Sequence, residues 1–446
     1  MSRSLRFWIG VWSSVWTLAL PLILFYLWLR GRKDGVYRSA IHERFGLYPH
    51  SRPGAVWIHA VSLGELRSAV PLIQALLARG DRVITTHFTP AGRREAERVF
   101  APEIAAGRLQ VVWVPLETGW AYRGFFRAFR PRCGLVMEIE IWPQMIAAAR
   151  AAGVPLLMCN AQYPSKSFAR DSARLPIRQA LMRGFSGAIV KSALQRDRFA
   201  AIGVGNIAVT GELRFDQPVP PAFVAAGQAA RRWIGAGQRR VITIASTVEG
   251  EDPIYLQAIQ ALRASHDRRG LPPPLVVYVP RRPERFDEVA ATLIAAGLRV
   301  LRRSSLGPIF DPQTWGKPPS MAPDVLFGDS LGEMYGYLAM ADQVIVGGGF
   351  MPCGAHNISE ALVLGRPVLC GPEVHTIEYP FVEAEAAGVV LAVADADDLA
   401  RALVEGFRPE PRTIEAFLRS HSGATQRTLA ALPDLLDRSA HPTSSR

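Results

Sequence analysis

The stretch VWIHAVSLGELRSAVPLIQALLARGDRVITT, residues 56–86, decides the fold. Val56–Ala60 is a short apolar run, and the Val61–Gly64 turn follows it. Glu65–Arg79 then places apolar residues at helical spacing, and Arg82–Thr86 returns to a β-branched run. A strand, a helix and a second strand within about 30 residues form a parallel βαβ unit, because parallel neighbours need a crossover of a dozen residues or more.

The same grammar continues on both sides. Val111–Val114, Gly134–Met137, Leu156–Cys159 and Ala188–Lys191 are expected strands, with Pro143–Ala152 a helix among them. After Pro218-Val-Pro-Pro221 and a helix near 222–234 the pattern restarts. Strands are expected at Arg240–Ala245, Leu275–Val279, Leu298–Leu301, Val325–Phe327, Gln343–Val346, Pro367–Cys370 and Val389–Val393. Strands alternating with helices imply mostly parallel sheets covered on both faces. Two doubly wound units therefore join near residues 213–238, an arrangement that favours a ligand cleft between domains at the carboxyl ends of strands. Segment 302–323, rich in Pro, Ser and Gly, reads as a surface insertion or flexible loop.

The 446 residues suit two domains, and 49% hydrophobic content supplies their cores. The net charge of +12 is unevenly placed: residues 1–217 carry +15 and residues 218–446 carry −3. The basic half also holds Phe7–Leu29, an uncharged 23-residue stretch long enough for a hydrocarbon core of about 30 Å. Trp8, Trp12, Trp16, Tyr26 and Trp28 suit interfacial anchoring. The Arg30, Arg32, Lys33, Arg38 and Arg44 excess after it predicts that the bulk of the chain stays on the cytoplasmic side. Pro21 either kinks a spanning helix or marks a segment lying in the interface. A cleaved signal peptide is the alternative, but no small-x-small site follows the run. Nucleic acid competes as the partner of the positive charge, yet no nucleic-acid-binding motif accompanies it. An anionic membrane surface is the expected partner, and the inner membrane the expected location, through a single-pass or peripheral anchor. Cys133, Cys159, Cys353 and Cys370 have neither CxxC spacing nor disulfide density, so reduced thiols and no zinc site are expected.

Chemistry-bearing residues gather where strands end. In His59–Glu65 the carboxylate opens a helix, either as a dipole-stabilising cap or as a general base. In Met137-Glu-Ile-Glu-Ile-Trp-Pro143, alternation puts Glu138 and Glu140 on one face, where mutual repulsion raises one pKa unless each is solvated or paired with arginine. Ala245–Glu251 and Gly347–Gly349 both follow strands and suit an anion held on backbone N–H groups, or simply form turns. Neither matches a dinucleotide or ATP loop. Val279–Arg285 sets Arg281 and Arg282 at a strand end, fit for a phosphate fork or for interdomain salt bridges. Asp329–Glu333 joins strand to helix, and Asp395-Ala-Asp-Asp398 reads as a helix cap rather than a metal site.

Taken in order, His59–Glu65, Glu138–Pro143, Asn160-Ala161, Val209–Asp216, Ala245–Glu251, Val279–Phe286, Gly328–Met334 and Gly347–Glu360 resemble the 3-deoxy-D-manno-octulosonic acid (Kdo) transferases. The resemblance runs from about residue 35 to 410. It implies an α/β GT-B fold: two Rossmann-like doubly wound domains facing a central cleft, with an N-terminal membrane-anchor helix. It also implies transfer of Kdo from CMP-Kdo to a lipid A precursor, with no cofactor and no required metal. On matching positions, Glu65 becomes the general base and Glu138 a second essential acid. Ser246, Thr247, Arg281, Arg282, Gly332, Glu333, Gly348, Asn357 and Glu360 fall to the nucleotide sugar, and Ser62, Gly64 and Asn160 to the acceptor. The chain departs from the family pattern at Arg282, Ala355 and Gln162. The expected domains are an anchor and basic linker (1–34), an acceptor domain (35–217), a nucleotide-sugar domain (218–436) and a flexible tail (437–446). A UDP-sugar enzyme and a non-catalytic membrane-attached paralogue are the competing readings.

Overall fold

A computed structural model describes residues 2–174 and 176–440. It holds two seven-stranded sheets, with every strand pair parallel. The first sheet comprises β1 (Val56–His59), β2 (Val83–His87), β3 (Leu109–Trp113), β4 (Cys133–Met137), β5 (Leu156–Ala161), β6 (Gly187–Val190) and β7 (Ile207–Val209), in spatial order β3-β2-β1-β4-β5-β6-β7. The second comprises β8 (Val241–Thr247), β9 (Leu275–Pro280), β10 (Val300–Arg302), β11 (Val325–Phe327), β12 (Gln343–Val346), β13 (Val368–Cys370) and β14 (Val390–Ala392), in order β10-β11-β9-β8-β12-β13-β14. In each, strand order reverses beside the first strand: between β1 and β4, and between β8 and β12. Such a switch point opens a crevice at the carboxyl ends of the flanking strands, because their crossover helices leave to opposite faces.

Burial on both faces explains the apolar runs. In β1, Val56 and Ile58 pack into the layer under helix Leu63–Ala78, whereas Trp57 turns to the other face against Phe125 and Phe126 of helix Gly119–Phe129. Trp57 Nε1 donates to Thr86 Oγ1 at 2.8 Å, so the buried indole keeps its hydrogen bond. In the second sheet Ile242 and Ile244 face one layer and Val241 the other.

The chain separates into two compact units: residues up to Gln217 together with those from Ser422 onward, and Pro218–His421. The expected boundary at 436 is therefore corrected. Helix Ala424–Ala440 belongs with the first unit, where Leu432 and Leu435 join the layer under Leu72 and Ile73. Asp216 fixes its start, accepting the N–H groups of Gly423 and Thr425 at 2.6 Å each. That helix includes residues 437–440, expected to be loose; residues 441–446 lie outside the described residues. Segment 302–323 is an irregular, largely exposed stretch, as a surface insertion should be, but it is pinned at three points. Phe310 and Trp315 are buried against Tyr337, and Arg303 is buried beside them.

The single anchor helix is corrected to a bent pair, Arg3–Leu18 and Leu20–Lys33, set 55° apart. Pro21 lies in the first turn of the second helix, where its missing N–H costs nothing but stops the first helix from continuing. No single described helix is long and apolar enough to cross a membrane. The first helix is docked: Trp12 Nε1 donates to Glu117 at 2.9 Å, and Gln144 Nε2 donates to the Ile9 carbonyl at 2.8 Å. Leu5, Ile9 and Leu27 are buried, whereas Phe7, Trp8, Leu18, Leu22, Phe25 and Trp28 are exposed.

Candidate active site

In the first unit, the strands flanking the switch point deliver Glu65 and Glu138. Ser62 caps helix Leu63–Ala78, its Oγ accepting the Glu65 N–H at 3.4 Å. The same hydroxyl donates to Glu65 Oε1 at 2.8 Å, and the Val61 N–H donates to Oε2 at 2.8 Å. The cap reading therefore holds, with a Glu65 carboxylate that closes the helix start and is partly withdrawn from water. Burial pushes the Glu65 pKa up to about 7, against the two hydrogen bonds, with Glu140 and Glu138 adding repulsion. A carboxylate poised near neutrality suits proton abstraction better than an ordinary acid. Gly64 stands exposed beside it.

Glu138 does not lie in an extended run with Glu140. Its backbone is left-handed, φ 56°, which breaks the expected alternation. Glu138 Oε1 accepts from Lys191 Nζ at 3.0 Å and Asn160 Nδ2 at 2.9 Å. Glu140 instead accepts from Trp142 Nε1 at 2.7 Å, and its raised pKa comes from burial, not from Glu138. Asn160, also left-handed at φ 54°, gives its amide to both Glu138 and Glu212 and accepts the Leu213 N–H at 3.0 Å. Its side chain holds the site together from behind.

Lys191 and Glu212 are the residues that sequence reasoning missed. Lys191, 5% exposed, bridges Glu138 and Glu212, the latter at 2.8 Å. Burial opposes the Glu212 charge, but Lys191 and Arg214 hold its pKa below the ordinary value. A lysine ending the apolar strand Ala188–Lys191 was the available signal, since buried lysines are almost always paired.

In the second unit, a cavity of about 190 Å³ opens at the β8/β12 switch point. Ser246, Arg281, Asn357, Glu360 and His356 line it, so four of the expected nucleotide-sugar residues converge. Its size is below the roughly 300–1,000 Å³ of sites for drug-sized ligands, and fits a phosphate with part of a sugar. Ser246 is left-handed, φ 63°. Arg281 and Arg282 are exposed and have no ion-pair partner among the described residues. Burial and the nearby Arg281 charge lower the His356 pKa to about 4, so its imidazole is neutral at physiological pH.

The anion expected on the glycine-loop amides is the protein's own. Glu251, fully buried, accepts from Val248 N at 3.0 Å, Gly348 N at 2.7 Å and Phe350 N at 3.2 Å. The Gly348 N–H is thus already bound. Glu333 is likewise committed, pairing with buried Arg303 at 2.8 Å, while Gly332 stands exposed at φ 82°. Thr247 is buried, its carbonyl accepting the Arg281 N–H at 3.1 Å.

A family model described as 3-deoxy-D-manno-octulosonic-acid transferase (kdotransferase) matches residues 39–217. The chain is 42% identical over 440 residues to the 3-deoxy-D-manno-octulosonic acid transferase of Bordetella pertussis, covering 95% of this chain and 99% of that protein. It is 28% identical over 448 residues to the Haemophilus influenzae protein of that name, covering 97% and 99%. Among solved structures it is similar to UDP-GlcNAc 2-epimerase from Neisseria meningitidis, with TM-score 0.54, 13% identity, and 85% of this chain and 100% of that one covered. It is also similar to a glycosyltransferase from Rickettsia africae, with TM-score 0.55, 9% identity, and 88% and 100% covered. At such identities these two likenesses speak only to the fold.

Replacing Lys191 by Met strands two buried or half-buried carboxylates. Urea unfolding of the first unit is expected to show a loss of about 3–5 kcal/mol. Adding Glu212→Gln to that variant should restore part of it. A loss under about 1 kcal/mol would show that Lys191 does not hold the cluster.

Proposed function

Because this chain belongs to the Kdo transferase family, we propose that it transfers Kdo from CMP-Kdo to a hydroxyl of a lipid A precursor in lipopolysaccharide synthesis, with Glu65 as general base. The observation that carries the mechanism is the Glu65 carboxylate, drawn toward neutrality by burial at the carboxyl end of β1. The acceptor hydroxyl oxygen attacks the anomeric carbon of Kdo, forming the new glycosidic bond. The bond from that carbon to the phosphate oxygen breaks, and CMP leaves with its electron pair. Glu65 takes the hydroxyl proton as the oxygen bonds, so no free alkoxide forms.

The donor side of this reading rests on the second unit's cavity. Arg281 is the cation for the departing phosphate, where charge develops as the bond breaks. The neutral His356 adds a hydrogen-bonding group without a second charge. Glu138, fixed by Lys191 and Asn160, is one of the acids near Glu65 that help hold its proton affinity up.

The bent N-terminal pair serves, in this proposal, as a peripheral anchor on the cytoplasmic face of the inner membrane. Phe7, Trp8, Leu22, Phe25 and Trp28 are exposed, and Arg3, Arg6, Arg30, Arg32 and Lys33 flank them. Aromatic residues beside cations suit the headgroup level of an anionic leaflet.

Incubation with CMP-Kdo and tetra-acylated lipid A precursor is expected to give a Kdo-bearing lipid by mass spectrometry and an equal amount of CMP. Glu65→Gln should slow this by about 10²–10⁴-fold with its far-UV circular dichroism unchanged. Active, folded protein that releases no CMP and makes no new lipid rules out the reading. In sedimentation with vesicles, the chain should bind phosphatidylglycerol far better than phosphatidylcholine at low salt, and Trp8→Ser with Trp28→Ser should weaken it. Equal pelleting with both lipids would remove the anionic-surface claim.

A further inference from the structure

The cavity with Ser246 and Arg281 lies at the carboxyl ends of the second sheet's strands. At the amino ends of β8, β12 and β13 lies a larger cleft, of about 990 Å³. The residues preceding those strands wall it, with the carboxyl ends of helices Asp252–Arg268 and Ala396–Glu405. Six arginines line it, Arg231, Arg239, Arg240, Arg269, Arg366 and Arg408, against three acids, Asp342, Glu405 and Glu410. The formal balance, 6 − 3 = +3, stands in a half of the chain (218–446) whose net charge is −3.

Helix ends and strand starts present carbonyl oxygens here, and three of the arginines are spent on such structural work. Arg239 donates to the Pro273, Pro274 and Pro323 carbonyls at 2.7, 2.9 and 2.8 Å. Arg366 donates to the Ala339 carbonyl at 3.0 Å, and Arg231 takes both oxygens of Asp342, at 2.7 and 3.0 Å. The other three are not committed in that way. Arg240 meets only neutral oxygens, the Leu403 carbonyl at 2.5 Å and Gln343 Oε1 at 2.7 Å. Arg269 and Arg408 are exposed, and their side chains have no hydrogen-bond or ion-pair partner among the described residues. Glu405 and Glu410 are exposed in the same cleft and pair with neither.

Two of these cations also converge. Gly406 ends helix Ala396–Glu405 in the left-handed region, φ 83°. A Cβ placed on it would lie 3.7 Å from Arg408 Nε and 3.9 Å from Arg240 Nη2. Helix dipoles account for basic residues at this end of the sheet, but not for two guanidinium groups turned toward one space. Burial, and then the Arg408 and Arg269 charges, lower the Arg240 pKa to about 10. Linked phosphates would bridge such cations, because each guanidinium fork matches phosphate oxygens. Leu271, 42% exposed, and Pro272 and Pro411 give the cleft an apolar side for the group that carries the phosphates.

We propose that this cleft is a second ligand site, for a molecule with two or more linked phosphate groups held by Arg240, Arg269 and Arg408. It lies at the opposite end of β8 and β12 from the candidate donor cavity. The proposal stands on the second unit alone and assumes nothing about the reaction.

The test is calorimetric titration of the full chain, in neutral detergent micelles, with inorganic pyrophosphate. Potassium chloride at about 150 mM screens charges more than about 8 Å apart, which suppresses diffuse attraction. One pyrophosphate per chain should bind. Arg269→Ser and Arg408→Ser should each weaken it by roughly tenfold, and together remove it, with far-UV circular dichroism and thermal midpoint unchanged. Binding should survive Arg281→Ser, which takes the cation from the donor cavity. In that variant, CTP and phosphatidylcholine vesicles carrying a polyprenyl diphosphate separate the two sources of linked phosphates. Tighter binding of CTP assigns the cleft to a soluble nucleotide, and tighter binding of the vesicles to a lipid headgroup; either should be lost with Arg269→Ser and Arg408→Ser. Binding that persists in the folded double variant, or that disappears with Arg281→Ser alone, overturns the proposal. So does the absence of binding by all three probes.

Discussion

The turns and helix starts that follow the strands of a doubly wound unit carry backbone N–H groups with no strand or helix partner, and many of these lie away from water. Here carboxylates answer that constraint. Glu65 takes the Val61 amide, and Glu251 takes three amides from the Val248 and Gly348–Phe350 loops. Asp216 takes two at the start of the helix that returns to the first unit. Glu117 takes the Gln144 and Met145 amides together with the Trp12 indole. Each removes an unsatisfied donor whose cost is about 1–3 kcal/mol, and all but the local Glu65 contact also pin segments 27 or more positions apart.

The same constraint sorts these acids by chemical use. Glu251 is sealed and spends both oxygens on amides. Glu65 receives only one amide and one hydroxyl, remains half-buried, and has its pKa lifted to about 7. Glu117 reaches a similar value by burial, but it lies under the docked N-terminal helix and spends its oxygens on the Gln144 and Met145 amides and the Trp12 indole. Burial alone therefore does not nominate a base. Position at the carboxyl end of β1, beside Glu138 from β4, separates Glu65 from the rest.

Most strands were legible because runs such as Val56–Ala60 and Leu275–Val279 are buried on both faces and bounded by turn residues. β7, Ile207–Val209, escaped because it is short and half-exposed. The bend at Ala19 was one of two readings of Pro21, and its angle was not legible because hydropathy along Phe7–Leu29 carries no information on helix direction. The Asp395 cap was readable locally, and the structure has it accepting the Asp397 and Asp398 amides. Lys191 with Glu212, Arg303 with Glu333, and Asp216 with Gly423 were not readable. Each pair joins residues 21 to 207 positions apart, beyond any local pattern. Glu138 misled for a different reason: alternation presumes extended backbone, and its left-handed φ turns the side chain toward Lys191.

The central claim is that burial makes Glu65 a base near neutral pH, and the pH dependence of kcat/KM for Kdo transfer tests it most directly. A general base works only when deprotonated, so activity must fall as the medium becomes more acidic than its pKa. The account predicts a one-proton rise that levels off above an apparent pKa of about 7 and vanishes from the residual activity of Glu65→Gln. A rise centred near the ordinary glutamate value of about 4.3, or one that survives unchanged in Glu65→Gln, would contradict it and leave Glu65 as a helix cap.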